Sequence, residues 1–390
     1  MIDSAARREA MRQAFRRQYG GEPTEWVRAP GRAELLGTDT DDHLGYVMTM
    51  GIHLDTWVAY RTIGSSQARV HSMNLEESTE FTIGEEPESP AASWDRYVSG
   101  VSRVLRLLGG CPGGVEAVIH TTVPIGGGLS SSASLEVACA LMFQSAGRFS
   151  LSPQELAKAC QRAENQCVGV ACGILDQYSS VFARGGVALL LDCRSITHVE
   201  VSIPSDLRIV ICDTNVPRSL AASGYARRRQ ECDEGTRLLR CRDPGIRTLR
   251  DLSSRRFESL KKALPDVLRK RCQFVVEENE RVVEFMAAMI RDDRAAMRDL
   301  CTRSFLGERD LYEKTVPAME HMYDAMMSAP GVVAARQSGG GFGGCMIAYV
   351  TSGDVEQFTG DVHETYRRRT GIEPIVTVTW PSDGAGILRF

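Results

Sequence analysis

Lysine is nearly missing from this chain. Only Lys158, Lys261, Lys262, Lys270 and Lys314 stand among 46 basic residues, so arginine carries the positive charge. The net charge of −4 excludes the basic footprint of a nucleic-acid binder. No Gly-Lys dipeptide occurs, so the lysine-bearing phosphate loop GxxxxGK[ST] is absent. The twelve cysteines include no CxxC pair, and Cys167 and Cys172, the closest two, lack a zinc spacing. They read as reduced core thiols of a cytoplasmic protein. No apolar run reaches about 18 residues, so no membrane span is expected. Residues 1–21 are charged and amphipathic, without the apolar segment of a signal peptide.

What remains is a chain of 390 residues, 43% apolar and 25% charged. Those values fit a globular protein of two domains. Its organising stretch is PIGGGLSSSASLEVA, residues 124–138. Gly126, Gly127, Gly128, Leu129, Ser130, Ser131, Ser132 and Ala133 lead into an apolar, alanine-rich helix expected over 134–147. Glycines permit positive φ, and serines satisfy free N–H groups at a helix start. A turn of this kind aims several N–H groups and a helix dipole at one point, which suits phosphate.

Around it the pattern predicts a surface helix over 4–18 and strands at 27–36, 46–61, 68–82 and 114–122. A polar loop with Asp39, Asp41 and Asp42 separates the first two. A helix is expected over 94–108. Ser152-Pro153-Gln154-Glu155 is a strong helix start, and that helix carries Glu164. Strands follow at 186–193 and 208–212, then helical periodicity over 225–327. A second glycine-rich turn, SGGGFGG (residues 338–344), precedes a strand at 345–350, a helix at 353–369 and a strand at 374–380. The domain join is expected near 195–210.

Three sets of residues could carry chemistry: the Gly/Ser loop, the carboxylates Glu164 and Asp176, and Arg32 with the acidic loop. Phosphoryl transfer needs a phosphate cradle, oxygen ligands for Mg²⁺, and a carboxylate or cation beside the accepting hydroxyl. Singly, each residue also suits an ordinary structural role.

Together they resemble a known family. RAPGRAELLG with its aspartate-rich loop, PIGGGLSSSASLEVA, AENQCVGVACGILDQ and ARQSGGGFGGC are similar to the successive motifs of galactokinases, within the GHMP kinases. The resemblance spans residues 26–386. It implies an α+β, two-domain GHMP kinase fold with the active site in the cleft. The first domain (1–205) would be like domain 2 of ribosomal protein S5. The second (206–390) would be ferredoxin-like, with 375–390 packing back near the interface. It implies ATP, Mg²⁺ and a monosaccharide phosphorylated on its anomeric hydroxyl by a cytoplasmic monomer. The loop from Gly126 to Ala133 would hold the ATP phosphates. Ser131 (or Ser132) and Glu164 would bind Mg²⁺. Asp176 would act as base or anchor, and Arg32 would stabilise the alkoxide. Thr38, Asp39, Asp41, Gly173 and Tyr225 would meet the sugar. Gly339, Gly340, Gly341 and Gly343 would line the cleft.

One departure stands out. Galactokinases usually read Gly-Glu-His-Thr-Asp where this chain has Gly37-Thr38-Asp39-Thr40-Asp41. The family's Glu and His face the C6 end of galactose. The expectation is therefore a sugar that differs near C6, and not a uronate, because Asp39, Asp41 and Asp42 would repel one unless arginines compensate. A polyol such as an inositol, and a sugar sensor with little catalysis, are the alternatives.

Overall fold

A computed structural model of the chain describes residues 4–86, 93–216 and 221–390. The first sheet holds β1 (Glu25–Leu36), β2 (Tyr46–Ile63), β3 (Gln67–Ser72), β4 (Glu77–Thr82), β5 (Gly114–Thr121), β6 (Val187–Asp192) and β7 (Thr197–Ser202). The second holds β8 (Leu207–Asp213), β9 (Val332–Gln337), β10 (Cys345–Thr351) and β11 (Ile375–Thr379) in the order β11-β8-β10-β9, antiparallel throughout. A short β12 (Gly386–Ile387) returns to the first sheet and pairs with β1. The first sheet runs β12-β1-β2-β5-β3-β4. The long β2 pairs with β6 over Tyr46–Thr49 and with β5 over Thr56–Ile63. Among the described residues only β3 and β5 pair in parallel.

The helices are α1 (Ser4–Tyr19), α2 (Trp94–Leu107), α3 (Ser131–Gly147), α4 (Pro153–Ala163), α5 (Leu175–Phe182), α6 (Ala221–Arg240), α7 (Ser254–Leu260), α8 (Asp266–Ile290), α9 (Arg294–Gly307), α10 (Pro317–Ser328) and α11 (Val355–Thr370). Helix α3 begins three residues earlier than expected, at Ser131, because Ser130 takes the left-handed cap conformation. The predicted capping box opens α4: Ser152 Oγ accepts from the Glu155 amide, and Glu155 accepts from the Ser152 amide. Strands β7 and β12 were not read from the sequence. β7 exposes most of its residues and β12 has two, so neither leaves a clear alternating pattern.

Period-2 alternation sorts the second sheet. Ile209 and Ile211 of β8, with Ile347 and Tyr349 of β10, face a core shared with Met48, Met50, Val282 and Phe285. Val210, Cys212, Met346 and Ala348 face α10 and α11. The opposite face of the first sheet packs on α2, α3 and α4 through Val58, Tyr60, Val137 and Phe143. The two sheets therefore enclose one continuous core. The cysteines are free thiols, most of them buried.

A charged knot crosses that junction. Arg336 of β9 is fully buried and faces Glu308 (2.7 Å), Glu34 (3.5 Å), Glu278 (3.5 Å) and Thr38. Arg281 adds a second cation on Glu278 at 2.8 Å. Two guanidiniums thus serve three carboxylates. Burial pushes Glu308 up to about 7, whereas Arg281 and Arg336 outweigh burial at Glu278 and hold it low. Removing one partner of a buried cluster strands the others. Arg336→Ala is expected to destabilise the protein by about 3–5 kcal/mol. Ser152→Ala, which removes one helix cap, should cost about 1 kcal/mol. Urea unfolding measures both, and an Arg336 variant no less stable than the cap variant would contradict the account.

Candidate active site

The site begins on β1, which carries register shifts between Pro30 and Arg32 and between Glu34 and Leu36. Such irregularities bend a strand and re-aim its side chains. Arg32, expected beside Asp176, turns towards it. Its Nη2 meets Asp176 Oδ1 at 2.8 Å. Its Nη1 donates to the Gly128 carbonyl at 2.6 Å, and its backbone amide donates to the Leu129 carbonyl at 3.1 Å. One residue thereby fixes the Gly/Ser loop against the carboxylate on the first turn of α5.

The loop itself delivers Gly126, Gly128, Ser130, Ser131 and Ser132 to a cavity of about 240 Å³. Ser130 Oγ is buried there without a hydrogen-bond partner, and α3 presents its N-terminus behind it. Leu129 and Ala133 turn into the core instead and can offer only backbone. Gly127 is buried too, its carbonyl taken by the Cys345 amide at 3.1 Å. The second glycine turn closes on the first at Gly339. Its φ is +87°, and a Cβ there would lie 2.8 Å from the Gly128 carbonyl oxygen. Gly339 and Gly340 line the cavity. Gly341 and Gly343 do not. Gly341 packs on Lys314 and Gln337, and the Gly343 amide points at Met319 Sδ, so they seat the turn rather than line the cleft.

Glu164 opens a π-helical turn, Glu164–Val168, at the end of α4, a distortion frequent at functional sites. It is buried, and Gln177 Nε2 donates to it at 2.6 Å. Burial, and then the charge of Asp176, push it up to about 7, against hydrogen bonds from Cys172, Ser132 and Gln177. The hydroxyl beside Glu164 is thus that of Ser132. Ser131, the first choice for that position, lines this cavity and a neighbouring one. Gln177 also donates to the fully buried Glu136 at 2.9 Å. Sequence reasoning missed Glu136 and Gln177 because a buried carboxylate inside an apolar helix looks like a solvated one.

Thr38, Asp39, Asp41, Gly173 and Tyr225 all line the same cavity, with Glu34, which had no expected role there. Gly173 lies so close to Asp41 that an added Cβ would sit 2.0 Å from its carboxylate. Burial, with Asp42 and Asp176 nearby, pushes Asp41 above the carboxylate range. Thr38 and Asp39 are not open groups. Thr38 bonds Glu34 and Arg336, and Asp39 bonds Lys314. The three aspartates are accordingly less repulsive than the sequence suggests, since Asp39 has Lys314 and Asp42 has Arg229 at 3.2 Å. Tyr225 donates to Asp42.

Beside this cavity lies a second, of about 340 Å³, which shares Gly126, Ser131 and Ser132 with it. Trp94, Tyr97, Ile119 and Leu135 make it mainly apolar. It was not assigned from sequence, because its lining comes from several separate elements. One oxygen-rich and one apolar compartment thus meet at one Gly/Ser loop.

Known proteins share the sequence pattern and the fold. Residues 13–62 match the family model described as the galactokinase galactose-binding signature. Residues 96–184 and 285–368 match the GHMP kinases N terminal domain and the GHMP kinases C terminal. A galactokinase of Roseiflexus sp. (strain RS-1) is 40% identical over 376 residues, 96% of each chain. One from Chloroflexus aurantiacus is 36% identical over 96% of this chain and 95% of its own. The crystal structure of Lactococcus lactis galactokinase complexed with galactose superposes with a TM-score of 0.93 at 30% identity, covering 97% of this chain and 99% of that one. A mevalonate kinase with a TM-score of 0.64 and 13% identity, covering 92% of this chain and 100% of its own, shares the fold alone. The chain belongs to the galactokinase family of the GHMP kinases and is an ATP-dependent sugar kinase of α+β fold.

Proposed function

We propose that the chain transfers the γ-phosphoryl group of ATP to the anomeric hydroxyl of galactose or of a close relative altered near C6. The observation that carries this reading is the Arg32–Asp176 pair at 2.8 Å, facing the Gly/Ser loop across one cavity. A sugar hydroxyl is a weak nucleophile. Asp176 accepts its proton or orients it, and Arg32 offsets the developing negative charge. The amides around Ser130 to Ser132 receive the phosphates, and the apolar compartment of Trp94 and Tyr97 suits the nucleotide base. The relatives' name of galactokinase supports galactose. Thr38 and Asp39 support a change at the far end of the sugar. No observation favours a sensor, since phosphate loop, Glu164, Asp176 and Arg32 are all in position.

The residues present fit Mg²⁺. Glu164 and the Ser132 hydroxyl supply hard oxygen ligands beside the phosphate loop. No cluster of three or more acidic, His or Cys side chains arranged for a metal occurs among the described residues. That suits an ion held by one carboxylate and the nucleotide's own phosphates. When bound, Mg²⁺ neutralises phosphate charge. Two domains joined at 205/206 accord with β7 ending in the first sheet and β8 opening the second. A cytoplasmic monomer accords with a cavity complete in one chain and with free thiols. No helix among the described residues is long and apolar enough to cross a membrane.

Asp176→Ala should lower turnover about 10²–10⁴-fold while nucleotide affinity holds. ADP release and nucleotide titration measure the two, and a near-normal rate would remove Asp176 from the mechanism. Glu164 sits near 7 in the free protein and must be ionised to hold a cation. At about pH 6, Mg-ATP binding should therefore release close to one proton, at about pH 7 near half of one, and above about pH 8 almost none. Calorimetry in buffers of different ionisation heat reads this number. Glu164→Gln should abolish it, and an unchanged proton count in that variant would exclude Glu164 as the ligand.

A further inference from the structure

Gln177 follows Asp176 on the first turn of α5 and is fully buried. It does not line the cavity, whereas Glu164 does. Its Nε2 donates to Glu164 Oε2 at 2.6 Å and to Glu136 Oε2 at 2.9 Å. An amide nitrogen carries two protons, so both are committed. The Oε1 atoms of Gln177 and Glu136 are buried without a hydrogen-bond partner among the described residues. The amide is thus held by its donor end alone, at the cost of an unpaired oxygen. Three elements converge on it. Glu136 lies on α3 one turn beyond Ser132, whose hydroxyl bonds Glu164. Glu164 opens the π-helical turn after α4. Cys172 Sγ adds a weaker donor to Glu164 at 3.4 Å.

We propose that Gln177 is a positioning residue: held from behind by Glu136, its amide fixes the Glu164 carboxylate beside Ser132 as a preformed ligand for the divalent cation that accompanies ATP. This rests on the reading of Glu164 as that ligand. A neutral amide suits the task. It donates to the carboxylate without cancelling its charge, whereas a lysine or arginine in its place would compete with the cation. A partner behind a ligating carboxylate sets its orientation and tunes metal affinity. Glu136 takes the second proton of the amide and so keeps it from rotating away. Gln177 and Asp176 are neighbours on α5, so one short helix serves the cation side and the Asp176 side of the cavity together.

The test measures by calorimetry the binding of the non-hydrolysable ATP analogue AMP-PNP, with Mg²⁺ and in EDTA, beside the Mg²⁺ dependence of turnover. Gln177→Met fills similar space without the donors. It should lower the affinity gained from Mg²⁺ about 10- to 100-fold, while metal-free AMP-PNP binding and KM for the sugar hold. Saturating Mg²⁺ should restore most of kcat. Glu136→Met should show the same defect. Glu136→Gln keeps an oxygen acceptor and should stay within about 3-fold of the unaltered protein. A merely structural role would weaken AMP-PNP binding alike with and without Mg²⁺, which would overturn the inference. So would Glu136→Gln proving as damaging as Glu136→Met. One measurement needs no variant to fold: in the unaltered protein the side-chain amide signals of Gln177, read by nitrogen–proton NMR, should shift when Mg²⁺ joins bound AMP-PNP. Unmoved signals would overturn the inference. Glu164→Gln separates it from the reading beneath it. If that variant keeps the Mg²⁺ gain, the ligand reading falls and this inference with it. If it loses the gain while Gln177→Met does not, this inference alone falls.

Discussion

The contacts of Arg32 are what the rest of the site depends on. Its two terminal nitrogens hold a carboxylate and a loop carbonyl, and its backbone amide holds the next carbonyl of that loop. A guanidinium suits this because its donors point in fixed, divergent directions. The strand irregularities on either side of Arg32 let a residue of a central strand reach the site at all. The Gly/Ser loop and the Asp176 carboxylate are thus positioned by one side chain from a rigid element, which is how a site keeps its geometry before a ligand arrives.

The second constraint is the cost of charge in a shielded place. Carboxylates crowd the cavity, and each solution differs. Asp39 has a buried lysine, Asp42 an arginine and a tyrosine, and Glu34 a threonine and an arginine. Glu164 and Asp41 lack a cation of their own and are pushed up by burial and like charge. Those two are left for something brought in by substrate. The cations on Asp39 and Glu34 come from the second half of the chain, so this wall of the cavity exists only when both halves are packed together. The same contacts that hold the halves together shape the pocket.

Much of this was legible in the sequence. The Gly/Ser loop reads as a phosphate cradle on its own pattern, whereas Glu164, Asp176 and Arg32 each suit a structural role singly and stand out only together, through the resemblance; all of them line one cavity. Strands such as β8 and β10 were readable as short, nearly continuous apolar runs, because each buries both faces in different cores. The losses have physical causes. Lys314, Arg336 and Glu136 are charges on otherwise ordinary stretches, and only tertiary packing shows that each is buried. The acidic loop looked like a repulsive cluster because its cations lie hundreds of residues away. The apolar compartment draws on several elements, none of which carries a motif. Gly341 and Gly343 share a motif with Gly339 and Gly340 but face the other way, which spacing alone does not reveal.

The most direct test of the central claim is the position of the new phosphate. The protein is incubated with ATP, Mg²⁺ and galactose, and the product is read by phosphorus–proton correlated NMR. The geometry of Arg32 and Asp176 against the Gly/Ser loop predicts a three-bond coupling of phosphorus to the anomeric proton. A three-bond coupling to any other sugar proton, or ADP formed with the sugar left free, would contradict it.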